Sequence, residues 1–151
     1  MKTKKFGKIH TYSLLLVFLF IAIISCNKNP YNDNSRLLGT WENPTYKDET
    51  YIYDGINFDA GSYKMKVKSI IWSSDASGII YGRYTENTYY SSVVGKYYAV
   101  SFKDLTDTSI SISGAYKEKG KIATDSLVEA ISEFTINNGY YSNYSSCKKV
   151  K

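Results

Sequence analysis

In Tyr63-Lys64-Met65-Lys66-Val67-Lys68 a lysine stands at every second position and an apolar or aromatic residue at each position between. Successive side chains of a strand point to opposite faces, so this period of two describes a half-buried antiparallel strand with its lysines in water. Tyr98, Val100 and Phe102 alternate in the same way, and Ile110 and Ile112 alternate with Ser109, Ser111 and Ser113.

Turn signals separate these runs. Ser73-Ser74-Asp75-Ala76-Ser77-Gly78 closes one hairpin, Asp104-Leu105-Thr106-Asp107 another, and Lys119-Gly120 ends a further strand. The pattern predicts an all-β antiparallel meander of about eight strands, near Gly39–Glu42, Glu49–Phe58, Ser62–Trp72, Gly78–Thr85, Tyr89–Val93, Lys96–Lys103, Ser109–Lys117 and Tyr140–Lys148. One stretch has helical spacing instead. Leu127, Ala130, Ile131 and Phe134 share a face, Ser126 with Glu129 forms a capping box, and Asn137-Asn138-Gly139 tolerates the positive φ that ends a helix. One short helix before the last strand is therefore expected. A sheet of this size has two edges to hide, and closing into a barrel removes both; a two-sheet sandwich is the alternative that periodicity does not separate from it.

The N-terminus carries a different message. Met1-Lys2-Thr3-Lys4-Lys5-Phe6-Gly7-Lys8 is basic without an acid, and an apolar run from Leu14 to Ile24 follows. These are the two leading regions of a secretory signal, and the run is well short of the roughly twenty residues a membrane-spanning helix needs. Ile23-Ile24-Ser25-Cys26 resembles a lipobox, the site where a bacterial signal peptide is removed and the new N-terminal cysteine takes a diacylglycerol on sulfur. The resemblance implies a signal peptide over residues 1–25 and a lipid anchor at Cys26. Two or three acyl chains make a stable membrane anchor where one does not. Residues 26–36, Asn-rich and without apolar period, read as a flexible tether, leaving 37–151 for one domain. Asn27, rather than aspartate, follows the cysteine; in the enterobacterial family this implies the outer membrane of the cell envelope.

Removing the signal changes the charge argument. The whole chain is +5 at neutral pH, but with Lys2, Lys4, Lys5 and Lys8 gone the basic and acidic residues nearly balance. Nothing then points to nucleic acid as a partner. The chain's one histidine, His10, goes as well. Catalysis by a Ser-His-Asp or Cys-His arrangement and histidine-ligated zinc are thereby excluded, so the expected protein is not an enzyme and needs no cofactor.

Leu37-Leu38-Gly39-Thr40-Trp41 resembles the Gly-x-Trp opening of lipocalins and related small barrels. The resemblance implies that Trp41 closes the barrel floor and that Gly39 lets a turn pass beneath it. With the anchor and the meander, the chain is similar to small lipocalin-like bacterial lipoproteins. That family also stacks a late arginine on the Trp, whereas Arg36 and Arg83 are the only arginines here.

Several residues are candidates for binding. Tyrosine is abundant, with sixteen in the chain, and Tyr89-Tyr90, Tyr97-Tyr98 and Tyr140-Tyr141 occur as pairs that a strand would split between its two faces. Inner rings suit a pocket and outer ones a recognition surface, although tyrosine is also simply a good strand former. Trp72, beside a Ser-rich turn, is expected at a rim, where an exposed indole suits ligand contact. Cys147 is the thiol that remains, either buried and inert or available for an intermolecular disulfide. Asp54-Gly55-Ile56-Asn57-Phe58-Asp59 spaces oxygens as a calcium loop does, but it reads better as a turn. No phosphate-binding loop, paired-cysteine metal motif or nucleophile elbow is present in the sequence. The leading expectation is a lipid-anchored binding module whose ligand, small and apolar or amphipathic, sits in a cavity of the barrel or at its rim and contacts Tyr63, Met65, Val67, Trp72, Tyr98, Val100 and Phe102, with Ile110 and Ile112 also inward. An envelope protein-interaction module with a packed core and exposed tyrosines is the second.

Overall fold

A computed structural model describes residues 33–150, so the expected signal peptide, Cys26 and most of the expected tether lie outside the described residues. Eight antiparallel strands close into a barrel in which each strand pairs with its neighbour in sequence and the last returns to the first. They are β1 (Gly39–Glu42), β2 (Thr50–Tyr53), β3 (Asn57–Asp59), β4 (Tyr63–Ser74), β5 (Ser77–Asn87), β6 (Tyr97–Lys103), β7 (Ser109–Gly114) and β8 (Ser145–Lys149). Closure rests on two residue pairs, Trp41 with Lys149 and Glu42 with Lys148. One helix, α1 (Leu127–Glu133), precedes β8 as expected.

Three of the expected strands differ: the last begins at Ser145 instead of Tyr140, and two others change the count. The single strand anticipated over Glu49–Phe58 is broken into β2 and β3, because Asp54 Oδ1 accepts from the amides of Ile56 and Asn57 at 2.8 and 2.6 Å and Gly55 takes φ +97° between them. This Asx turn is also what the calcium-like spacing builds. The strand anticipated over Tyr89–Val93 is a turn followed by a 3-10 segment, Ser91–Val93. There Asn87 Oδ1 accepts from the amides of Tyr89 and Tyr90 and diverts the chain before a ladder can form. The number of strands comes out at eight because these two differences cancel.

The barrel interior is filled by alternating side chains. Met65, Val100 and Phe102 are at most 1 % exposed, and Trp41, Ile110 and Ile112 surround them. Two glycines of β5 make this packing possible. A Cβ at Gly78 would lie 2.8 Å from the Phe102 ring, and one at Gly82 would lie 2.9 Å from Met65 Cβ, both inside van der Waals contact. In β4 the strict alternation breaks near Lys68, where a bulge shifts the register between Val67 and Ser69. Beyond it the inward set moves from odd to even positions, so Ile70 and Trp72 join the core while Ile71 is exposed.

β6 is buried on both faces, since Ala99 and Ser101 are covered as fully as Val100 and Phe102. Part of the cover is the long β7 to β8 connection, whose Thr124 pairs with Tyr97 and whose α1 packs on β5 and β6. Helix α1 is short but well determined. Ser126 Oγ accepts from the amide of Glu129, Ala130 and Phe134 are fully buried, and Asn138 Nδ2 donates to the last carbonyls, Ser132 and Glu133. The Phe134 carbonyl then accepts from the hydroxyls of both Tyr81 and Tyr141 at 3.2 Å, which ties the helix end to the barrel.

At one end the barrel is closed by the chain preceding β1. Asn34–Leu37, the last part of the expected tether together with Leu37, forms a 3-10 turn against the barrel. Leu37 is buried beneath it and its carbonyl accepts from Trp41 Nε1 at 3.0 Å. Gly39, at φ +123°, leaves room for the Lys149 side chain, whose ammonium sits 4.8 Å from the Trp41 ring centroid. A cation thus covers the indole here, supplied by a lysine of β8.

Candidate functional site: the open mouth of the barrel

The links β1 to β2, β3 to β4, β5 to β6 and β7 to β8 all lie at the end opposite the 3-10 closure. Between them is an open cleft of about 810 Å³ lined by Tyr46, Asp48, Glu49, Tyr51, Tyr63 and Tyr89, among others. A second hollow of about 290 Å³, containing Tyr116, Tyr140, Ser142 and Asn143, adjoins it through Glu49, Tyr51 and Gly114, which line both. Hollows of this size suit small organic molecules.

The carboxylate of Glu49 is held where the two meet. Its Oε1 accepts from Tyr51 Oη at 2.8 Å and from Ser145 Oγ, and its Oε2 accepts from Asn43 Nδ2 at 2.6 Å. Asn43 is itself fixed, since it is buried and its Oδ1 accepts from the amides of Thr45 and Tyr46. Partial burial alone would raise the Glu49 pKa, but the hydrogen bonds from Ser145, Tyr51 and Asn43 outweigh it and hold the group below the ordinary carboxylate range. Burial, reinforced by the bond to Glu49, pushes the Tyr51 phenol well above its ordinary value. The site therefore holds one fixed anion among neutral donors.

Beneath the cleft lies an aromatic column. Tyr63, Tyr84 and Tyr98 meet at centroid distances of 5.0 to 5.7 Å, and Phe134 and Tyr140 extend the chain of rings. Tyr98 Oη donates to the Ala115 carbonyl at 2.9 Å, and a Cβ at Gly114 would lie 2.8 Å from that oxygen. Gly114 is thus the gap into which the Tyr98 hydroxyl fits.

Of the residues singled out from sequence, Tyr63 reaches the cleft. Tyr98 lies below it in the aromatic column, and Val67 is half-buried on β4. Val100, Phe102, Ile110 and Ile112 enclose a residual space of only about 10 Å³, and Met65 is fully buried. That is room for about one water molecule. The barrel interior below the tyrosines is occupied by its own side chains. Trp72 stands at the closed end rather than the mouth. Its ring meets Phe102 at 4.8 Å, its Nε1 donates to Asn34 Oδ1 at 2.9 Å, and Arg36 lies 6.0 Å from its centroid.

The tyrosine pairs also sort differently from the strand expectation. Tyr97 and Tyr98 lie in β6 and do split, half-buried against buried. Tyr140 and Tyr141 are both buried and Tyr89 and Tyr90 both exposed, because neither pair lies in a strand. Cys147 is 2 % exposed, and burial followed by the charge of Glu49 pushes its thiol up to about 11. It is the buried, protonated alternative, closed to an intermolecular disulfide.

Tyr46, Glu49, Tyr51 and Tyr116 were not among the sequence candidates, whereas Tyr89 was, as one of a tyrosine pair. For Tyr46, Glu49 and Tyr51 the one signal was local density: three tyrosines and three acids fall within Tyr46–Asp54. No protein-family model, curated protein or solved structure matches the chain. The functional reading consequently rests on the site and on the sequence itself.

Proposed function

We propose that this chain is a lipid-anchored, non-catalytic binding module of the bacterial cell envelope that takes a small amphipathic ligand at the rim of its barrel. The observation that carries the binding part is the contrast between an interior with about 10 Å³ to spare and a mouth holding an open, tyrosine-lined cleft of about 810 Å³. The anchor rests on Ile23-Ile24-Ser25-Cys26 and its basic and apolar leader, with the lipocalin-like opening Gly39-Thr40-Trp41 in support. Among the described residues no helix is long and apolar enough to cross a membrane. Attachment through lipid on Cys26 is the route this reading uses.

Two measurements test it. Cys26→Ser is expected to abolish incorporation of labelled fatty acid and to release the chain from the membrane fraction. Small molecules released from the full chain, purified in detergent and identified by mass spectrometry, are expected to include a stoichiometric amphipath whose retention falls in Tyr89→Ala. Release of none would remove the ligand reading. The protein-interaction reading draws on the exposure of Tyr46, Tyr89, Tyr90 and Tyr116, each more than half exposed on loops of the mouth end. Cross-linking from those positions to one envelope protein would favour it.

A further inference from the structure

We propose that the mouth cleft selects an organic ammonium ion, its charge facing Glu49 and Asp48 and its alkyl groups lying against the rings of Tyr46, Tyr51, Tyr63 and Tyr89. The inference rests on the rim-binding reading and specifies the ligand class. Two acids and four tyrosines line the larger cleft, and neither cleft has a lysine or arginine in its lining. The four ion pairs among the described residues join Lys64 to Asp59 and Glu86, Lys96 to Asp125 and Lys121 to Glu129, so none of them neutralises Glu49 or Asp48. Three neutral donors fix Glu49 and keep it ionised without cancelling its charge.

Each class of ligand meets this lining differently. An anion is repelled by the two carboxylates. A purely apolar molecule would desolvate Glu49 with no compensating contact. A divalent metal ion asks for several free oxygen ligands, whereas those of Glu49 are already engaged by protein donors and no group of three acids, cysteines or histidines gathers among the described residues. A quaternary alkylammonium satisfies both features at once, because its charge is diffuse, it is attracted to the faces of aromatic rings, and it sheds water more readily than an ammonium with N–H groups. Tyr46 and Tyr89, 69 % and 76 % exposed, have ring surface free to close over it.

The test compares choline with 3,3-dimethylbutan-1-ol, its neutral isostere of the same shape, by calorimetric titration of the full chain in an uncharged detergent. Choline is expected to bind about tenfold or more tightly than the alcohol, as ring and carboxylate contacts to a cation imply. Glu49→Gln should erase the difference. Because Glu49 also ties β2 to β8, Asp48→Asn and Tyr46→Ala serve as variants outside that framework; each is expected to weaken choline by roughly threefold to fivefold, the first leaving the alcohol unchanged and the second weakening it less than choline. Equal binding of the two molecules overturns the ammonium assignment while the rim reading stands. Binding of neither also overturns it, and the rim reading then depends on the molecules released from the purified chain.

Discussion

The two ends of this barrel are built from different chemistry. At the closed end Trp41, Phe102 and Leu37 are almost wholly buried, the 3-10 turn is pinned by Trp41 and Trp72, and almost no space is left over. At the open end tyrosines replace aliphatic residues, their hydroxyls bond to backbone carbonyls or to Glu49, and two adjoining hollows are open to water. Apolar packing contributes most where no polar group has to be satisfied. Stability is therefore concentrated at the closed end of the barrel, and the mouth is free to vary its lining. The tyrosine column joins the two, packing like a core residue below and presenting an oxygen above.

The sharpest way to break this contrast is to empty the closed end. Phe102→Ala should cost about 3–5 kcal/mol in urea unfolding, while ligand affinity at the mouth, measured well below the transition, stays within twofold. A loss under 1 kcal/mol would mean that the closed end is not the main store of stability. Overfilling the interior beneath the tyrosine column, where Gly82 pairs with Tyr98, is expected to cost less. Gly82→Ala pushes a methyl against Met65 and the Lys66 carbonyl and should destabilise by about 1–3 kcal/mol.

At the mouth the expected effects are smaller and depend on pH. The folded-state pKa of Glu49 lies below its ordinary value of 4.5, so its contribution to stability is fully present above that value and is lost as pH falls through the folded one. Glu49→Gln should lower stability by about 1–2 kcal/mol at pH 7 and flatten this part of the acid limb, read as urea midpoints between pH 3 and pH 6. An unchanged acid limb would mean that the three hydrogen bonds do not favour the ionised form. The smallest effect is expected from Lys149→Met, which keeps the aliphatic cover over Gly39 and Trp41 but removes the cation, at about 0.5–1 kcal/mol.

Most of the closed end was legible from residue order. The alternation around Met65, Val100, Phe102 and Ile110 describes inward side chains without ambiguity, and Ser126 with Glu129 marks the start of α1. The bulge near Lys68 was not legible, because an inserted residue changes phase without changing composition, and it is the reason Trp72 points to the core. The mouth was legible only in part. Tyr63 lies on a strand and follows its period, but Tyr46, Glu49 and Tyr89 lie on or beside loops whose paths are set by side-chain to backbone bonds from Asn43 and Asn87. No periodic pattern records such bonds. The interior expected as a pocket was filled for a reason sequence states only faintly: glycines at 78 and 82 admit large neighbours instead of making room for a ligand.

Amide chemical-shift mapping of the full chain in detergent, titrated with choline, bears most directly on the division between a packed interior and a binding mouth. Shifts confined to the segments around Tyr46–Tyr51, Ser62, Thr88–Tyr89 and Gly114 are the expected result. Saturable shifts at Ile80, Val100 and Ile110, with the mouth residues silent, would contradict it by placing the ligand inside the barrel.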